Sequence, residues 1–189
     1  MFMGTRKQHI LDAAIGVLGK SGSRGLTHRN VDSEAGLPSG STSNYFRSRH
    51  ALMNGIVGRM EELDYEDWAR QSSGPVVESE SGFADILTAF VSAAVAADRT
   101  RTQARYAIFV EAAMTGADSG IAQSIERSRA NLRQWGTGIA ADVGMAEPER
   151  AAAMLVDYLD GVIFHHLTRP TFERDVVRSD IGRFLAALA

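Results

Sequence analysis

Cysteine is absent from this sequence, and proline, aromatic residues and long hydrophobic runs are scarce. The 189 residues include no cysteine, four prolines and 7% aromatic residues. Without cysteine there is no disulfide framework, no thiolate metal site and no cysteine nucleophile. The longest apolar stretches, Ala93–Ala97 and Ala151–Val156, are far shorter than the ~18 residues of a transmembrane helix. His9 and Asp12 interrupt the region where a secretory signal needs an apolar run, so we expect a cytoplasmic protein with no membrane partner.

The composition that remains is that of a folded protein with an uneven charge. Apolar residues make up 44% and charged residues 23%, which is ordinary for a globular chain and excludes disorder as the main state. The net charge of −3 hides a division: residues 1–59 contain eight basic and three acidic residues, whereas residues 60–189 contain 12 basic and 20 acidic residues. A basic end joined to an acidic remainder suggests two functions in one chain.

The hydrophobic periodicity is helical throughout and predicts an all-α fold. Apolar residues recur at spacings of three and four, no stretch alternates long enough to predict a strand, and the four prolines fall between the periodic segments. The Ser-, Gly- and Glu-rich stretch 71–82 is the best candidate linker. The nine predicted helices cover approximately residues 7–20, 28–35, 39–46, 50–70, 83–98, 100–115, 119–143, 148–168 and 173–188.

Two of the short helices predict a helix-turn-helix. Thr27 is placed to cap the first of them, and Gly36 is placed to form the turn that follows. A helix that enters the major groove needs small or polar side chains outside and an apolar anchor behind. Phe46 is the candidate anchor. The outward side chains are predicted to include Ser39, Ser41, Thr42, Ser43 and Asn44. The alternative interpretation is a polar surface turn in a helical protein.

Three sequence segments resemble the DNA-binding domain of the TetR family of bacterial transcriptional regulators. They are ILDAAIGVLGKSG, LTHRNVDSEAGL and SGSTSNYFRSRHALM, which together extend from Ile10 to about Leu52. The order is a helix, a threonine-capped helix ending in Ala-Gly-Leu, and a recognition helix ending in Tyr-Phe before a long helix. Two features depart from the family: Pro38-Ser39 reverses the usual Ser-Pro order, and Thr42 and Ser43 replace a leucine and a tyrosine.

The resemblance implies a set of DNA contacts. Thr27, Arg29 and Tyr45 would contact backbone phosphates, and Arg49 matches a family lysine that binds phosphate at the start of the fourth helix. His28 matches a variable position and would either read the groove edge or be solvated. The predicted DNA-binding residues are therefore Thr27, His28, Arg29, Ser39, Ser41, Thr42, Ser43, Asn44, Tyr45 and Arg49.

The family also implies a homodimer, because a palindromic operator is read by two heads. The predicted helices at 119–143 and 148–168 carry glycine and alanine residues that would permit close helix packing, so they are the best candidates for the interface. The predicted interface residues are Leu132, Trp135, Ile139, Leu155, Leu159, Val162, Ile163 and His166. The alternative is that these residues pack inside one chain.

A small-molecule effector site is implied in the same way. The candidate lining residues fall at helical spacing and are Met60, Trp68, Phe90, Tyr106, Phe109, Val110 and Tyr158. Such a stripe is more often ordinary core than a ligand site. Glu111 and Asp157 would favour a cationic effector if they faced the site, although a solvated face explains them as well.

Nothing in the sequence predicts an enzyme, a metal site or a cofactor. Asp157 and His165 share a helix face but lie about 12 Å apart, too far to hold one ion together, and no glycine-rich phosphate loop occurs. We therefore expect a ligand-responsive repressor with a helix-turn-helix DNA-binding domain at 1–50 and a helical effector-binding and dimerisation domain at 51–189. The rival interpretations are an all-helical protein-interaction module without DNA binding and a small helical enzyme.

Overall fold

The computed structural model describes the backbone of residues 5–72, 77, 79–116 and 120–188, and the side chains of these residues except 68–72 and 115. Nine α-helices and no strands occur within this part of the chain, so the predicted all-α class is confirmed. The helices are α1 (Arg6–Gly25), α2 (His28–Glu34), α3 (Ser41–Tyr45), α4 (Arg49–Ser72), α5 (Glu80–Val95), α6 (Arg99–Thr115), α7 (Gly120–Asp142), α8 (Pro148–Leu167) and α9 (Arg174–Ala186).

Local sequence signals set several of the helix ends. At the start of α1, the Thr5 hydroxyl accepts from the Gln8 amide while the Gln8 side chain accepts from the Thr5 amide, a capping box that satisfies two otherwise unpaired donors. Gly22 has a φ of +63° and interrupts the helical geometry within α1. Only glycine adopts that φ readily. Pro148 is the first residue of α8, where its missing N–H costs no hydrogen bond.

The described residues form two compact units, and the first comprises α1 to α4, residues 100–115 of α6 and residues 120–126 of α7. Ile10, Leu18 and Leu52 are fully buried in its core. Ala104 and Ile108 of α6 belong to the same core. Burial of each large aliphatic side chain contributes about 1.5–3 kcal/mol, so α6 helps to stabilise the helices that precede it.

Two ion pairs fasten α6 to α4 within this unit. The guanidinium of Arg105 donates to both carboxylate oxygens of Asp64 at 2.5 and 2.8 Å, and Arg101 donates to Asp67 at 2.6 Å. Asp64 is buried. A two-point ion pair between arginine and a buried carboxylate is stronger than the same pair at an exposed site. The first unit therefore continues past residue 50, where the sequence predicts a functional boundary, and that functional division stays a prediction.

The second unit comprises α5, residues 127–142 of α7, α8 and α9. Phe83 and Val91 of α5, with Ile181 and Leu185 of α9, are fully buried. An exposed ion pair between Arg178 and Asp85 at 2.5 Å also joins α5 to α9. Apolar burial is thus the main contribution to the stability of this unit.

The predicted linker at 71–82 is shortened at both ends. Helix α4 continues to Ser72, and α5 begins at Glu80, where the Ser79 hydroxyl caps it by accepting from the Gly82 amide. Most of the intervening stretch lies outside the described residues.

No individual helix in the described ranges has the length and apolar content to cross a membrane. The pair Glu80–Val95 and Arg99–Met114 meets those two criteria only when counted together.

Candidate nucleic-acid interface

Helices α2 and α3 form the predicted helix-turn-helix. The Thr27 hydroxyl accepts from the Asn30 amide at 3.2 Å, which confirms its role as the cap of α2. Gly36 has a φ of +63° at the turn, a conformation that favours glycine. Val31 and Phe46 are buried in the core of the first unit and so hold both short helices against it.

A buried carboxylate, which the sequence analysis missed, positions the recognition helix α3. Asp32 in α2 is 3% exposed. It accepts hydrogen bonds from the Gly40 amide at 2.8 Å, the Thr42 amide at 2.7 Å and the Thr42 hydroxyl at 2.5 Å. These amides belong to the start of α3, which has no earlier turn to pair with them. Asp32 therefore serves as the cap of α3 from a different helix.

The same contacts keep Asp32 ionised. Burial would raise the pKa of this carboxyl, but the hydrogen bonds from Thr42 and Gly40 outweigh burial and hold the pKa below its ordinary value. The charge is thus stabilised by donors rather than by a salt bridge. One sequence signal could have revealed the role of Asp32: it is an acidic residue within a short helix that must bury one face.

Thr42 does not face the DNA, contrary to the prediction. Its side chain is 0% exposed, and its hydroxyl donates to Asp32. The position matches a leucine in the TetR resemblance, so the inward direction is kept while the apolar contact becomes a hydrogen bond. We therefore remove Thr42 from the predicted DNA-contacting set.

The other polar residues of α3 and its approach lie at the surface or partly so. Ser41 donates to the Pro38 carbonyl at 2.6 Å and Ser43 to the Gly40 carbonyl at 2.8 Å, so both hydroxyls also stabilise the local backbone. The remaining predicted contacts on α2, α3 and the turn are exposed, and they are Thr27, Arg29, Ser39, Asn44 and Tyr45. Of these, Arg29 and Asn44 combine exposure with the strongest hydrogen-bonding chemistry for phosphate and base edges.

His28 has a structural role that neither predicted alternative covered. Its Nε2 lies 2.7 Å from the carbonyl oxygen of Phe46. A carbonyl only accepts, so Nε2 must carry the proton and donate. The half-buried ring therefore joins the first residue of α2 to the end of α3.

Arg49 is the first residue of α4, as predicted, but its guanidinium is already engaged. It donates to the Leu26 carbonyl at 2.8 Å and to the Ser23 hydroxyl at 2.6 Å, and it lies 3.9 Å from a carboxylate oxygen of Glu111. The side chain is 45% exposed. It can therefore reach a phosphate only from a position set by α1 and α6.

Intramolecular pairing removes part of the positive charge of residues 1–59. Lys20 pairs with Glu34 at 2.5 Å, and Arg59 pairs with Asp12 at 2.8 Å. Both cations lie away from α3 in sequence. The exposed arginines of this segment that lie close to α2 and α3 in sequence are Arg24, Arg29, Arg47 and Arg49.

A small apolar cavity lies in the second unit between α5, α7 and α8. Its volume is about 20 Å³, room for about one water-sized molecule. The lining residues are Phe83, Leu87, Leu132, Trp135, Gly136, Ala152, Leu155, Val156 and Leu159. Ligand sites commonly have volumes of roughly 300–1,000 Å³, so this cavity would have to expand to admit an effector.

The description "Tetracyclin repressor-like, C-terminal domain" belongs to a family model that matches residues 78–189, more than half of the chain. The chain belongs to the TetR family. A comparison with curated protein sequences finds no significant match.

Solved structures of transcriptional regulators share the fold over nearly the whole chain. A transcriptional regulator from Rhodococcus sp. RHA1 is 21% identical, with 97% of this chain and 96% of that chain covered and a TM-score of 0.76. A TetR-family member from Streptomyces coelicolor A3 is 26% identical, covers 96% and 98%, and has a TM-score of 0.67. The multidrug-binding protein EbrR complexed with ethidium is 26% identical, covers 95% and 98%, and has a TM-score of 0.66.

The predicted effector-site residues are divided between the two units. Met60 is buried in the core of the first unit. Tyr106 and Phe109 belong to the same unit, and their rings meet edge-on with centroids 5.5 Å apart. Val110 is 58% exposed. In the second unit, Tyr158 stacks on Phe184 at 4.1 Å, and Phe90 is half-buried. The side chain of Trp68 lies outside the described residues.

Several predicted interface residues are core residues of the single chain. Leu155, Leu159 and Ile163 are buried on α8, and Leu132 and Trp135 line the apolar cavity with the first two. The internal-packing alternative therefore describes them better than the dimer interface does. The half-buried members of the set are Leu132, Trp135, Ile139, Val162 and His166.

His166 is a half-buried polar residue on α8. Its ring meets Phe172 edge-on with centroids 5.2 Å apart. Burial is the main reason that the pKa of His166 is lowered below its ordinary value, which favours the neutral ring. The described residues contain no group of three His, Asp or Glu side chains suited to a metal ion.

Proposed function

We propose that this TetR-family chain is a non-enzymatic, ligand-responsive repressor that binds a palindromic operator as a homodimer. The observation that carries the DNA-binding part is the helix-turn-helix itself. Asp32 fixes α3 against α2, and Arg29, Asn44 and Tyr45 are exposed on the two helices. The proposed site of action is the cytoplasm, where bacterial chromosomal DNA lies.

The salt dependence of binding tests this function directly. Labelled duplex DNA is titrated with the protein between about 50 and 200 mM salt and followed by fluorescence anisotropy. Counterion release predicts that log K falls by about 0.9 per phosphate neutralised for each unit of log salt. Binding that does not change with salt would contradict the proposal and favour a protein-interaction module.

The contribution of Arg49 is measured with a matched charge control. Arg49→Ala should weaken binding to specific and random duplexes alike, by about tenfold, because a phosphate contact carries no sequence information. Arg150→Ala removes an exposed arginine of α8 and should leave both affinities unchanged. Equal effects of the two substitutions would remove Arg49 from the DNA-contacting set.

The proposed dimer uses the outer face of α8 rather than its buried residues. Met154 is 41% and Phe164 49% exposed, and a Cβ on Gly161 would meet no atom within 4 Å. Exposed apolar side chains beside an open glycine favour close contact with a second helix. Phe164→Glu should shift sedimentation towards the monomer while circular dichroism is unchanged. A dimer that resists this substitution would exclude the outer face of α8.

We propose an apolar or aromatic small molecule as the effector. The cavity lining is apolar, and the similar protein EbrR has been crystallised with ethidium, malachite green and proflavin. Glu111, one of the two acidic residues that would favour a cationic effector if they faced the site, accepts from Ser23 at 2.6 Å in the first unit. Release of bound DNA by such dyes, measured after operator selection from a random pool, tests the effector class. Release only by polar metabolites would contradict it.

A further inference from the structure

Three side chains from different helices meet beside the start of α4. The Ser23 hydroxyl donates to Glu111 at 2.6 Å and accepts from Arg49 at 2.6 Å. Arg49 also lies 3.9 Å from the Glu111 carboxylate. We name Ser23, Arg49 and Glu111 the α6 latch, because Glu111 is its only member outside α1 and the first turn of α4.

The backbone of α6 is fixed close to α1 at a second point. A Cβ on Gly19 would lie 2.1 Å from the carbonyl oxygen of Thr100, so only glycine permits this approach. Ala104, Ile108 and Ala112 continue the contact into the shared core. Movement of α6 would therefore act on the Ser23 end of α1 without first passing along α4.

The latch places a carboxylate where a DNA phosphate is expected. Arg49 is the cation that the family resemblance assigns to phosphate, and a carboxylate and a phosphate oxygen seek the same guanidinium donors. The Ser23 hydroxyl has one proton, which it gives to Glu111. Withdrawal of Glu111 would free that proton and uncover the charge of Arg49.

We propose that Glu111 is a regulatory positioning residue that competes with DNA phosphate for Arg49 and Ser23. The structure thus describes the lower-affinity arrangement, and displacement of α6 from the latch raises the affinity for DNA. This inference rests on the proposed DNA-binding function and gives α6 a direct influence on the affinity for DNA.

The test measures binding of the full chain to a labelled 30-base-pair duplex of random sequence at low salt. Glu111→Gln should tighten the dissociation constant by about three- to tenfold, the size expected for removing one partly screened charge near a phosphate. Glu111→Ser provides a second neutral variant. Glu111→Asp retains the charge and should stay within about twofold of the wild type. Glu62→Gln removes an exposed carboxylate that pairs with Arg59 on α4 and should also change binding less than about twofold.

A second background separates competition from a structural effect. In Arg49→Ala protein, Glu111→Gln should lose most of its gain, because the cation for which the two anions compete is absent. A gain that persists there, or an unchanged affinity in the wild-type background, would overturn the latch while leaving DNA binding intact. Failure of the wild-type chain to bind duplex DNA in a salt-dependent manner would overturn both proposals.

Discussion

Different kinds of interaction stabilise the interior of each of the two compact units. In the first unit, buried polar contacts position the functional elements: Asp32 caps α3, and Arg105 pairs with Asp64 across α4 and α6. In the second unit, the described cavity is lined by apolar residues, and ion pairs such as Arg178–Asp85 lie at the surface. Polar contacts fix direction, whereas apolar packing tolerates adjustment. This contrast suits the proposed functions, in which the helix-turn-helix holds a fixed direction and the effector region adjusts to a ligand.

The largest expected effect is the loss of the buried carboxylate. Asp32→Ala leaves the Gly40 and Thr42 amides and the Thr42 hydroxyl without their acceptor. Each buried unpaired group costs about 1–3 kcal/mol, so we expect the free energy of unfolding to fall by about 3 kcal/mol or more. Urea denaturation measures this change. Asp142→Ala, which removes an exposed carboxylate at the end of α7, is the control; a similar loss in both variants would contradict the special role of Asp32.

A pair of neighbouring residues on α8 tests the apolar packing of the second unit. Leu155 is buried beside the cavity, whereas Met154 is exposed. Leu155→Ala should destabilise the monomer by about 2–4 kcal/mol. Met154→Ala should change the stability of the monomer by less than about 0.5 kcal/mol, because its effect would be confined to the proposed dimer contact. Thermal unfolding at several protein concentrations distinguishes this effect from dimer dissociation. Equal destabilisation by both substitutions would mean that α8 buries a different face.

Two glycines in helices should respond to alanine with opposite signs. Gly19→Ala would bring its Cβ against the Thr100 carbonyl, and the resulting shift of α1 or α6 should cost about 1–3 kcal/mol. Gly58 has no atom near its Cβ position, so Gly58→Ala should stabilise α4 by about 0.5–1 kcal/mol. Denaturant unfolding of the two variants gives both signs. A stabilising Gly19→Ala would show that α1 and α6 can separate freely.

The smallest expected effect is on the acid side of the stability profile. Because the pKa of Asp32 is lowered in the folded chain, its ionised form stabilises the fold above the unfolded-state pKa of about 3.9. That contribution is lost as the pH falls through the folded pKa. Asp32→Asn should therefore unfold with a shallower dependence on pH below about 4 than the wild type. An unchanged slope would show that other carboxyl groups dominate acid unfolding.

Interactions between residues close in sequence made much of the helix-turn-helix region predictable. The Thr27 cap, the positive φ of Gly22 and Gly36, and the burial of Val31 and Phe46 all follow from neighbouring residues or helical spacing. Thr42 and His28 were less accessible to this reasoning, because each finds its partner on another helix. A threonine in a polar stretch is predicted to be a surface residue unless its hydrogen bond to Asp32 on another helix is known.

In the second unit the helices were predictable, but the partner against which each apolar helix face packs was not. Periodicity placed α7 and α8 correctly, and it identified their apolar stripes. It could not decide whether Leu155 and Leu159 face another helix of the same chain or a second chain, because both environments favour the same residues. The aromatic stripe proposed for the effector site had the same ambiguity, and its members fall in both units.

The amino-acid sequence by itself determined the helices, some of their caps, the helix-turn-helix and the family, since caps, turns and periodicity act over a few residues. The tertiary structure decided which polar groups meet across helices: Asp32 with the start of α3, and Glu111 with Ser23 and Arg49. Glu111 lies 62 residues after Arg49 in the sequence. No periodic pattern relates them, because the pairing depends on how α6 packs against α1 and α4.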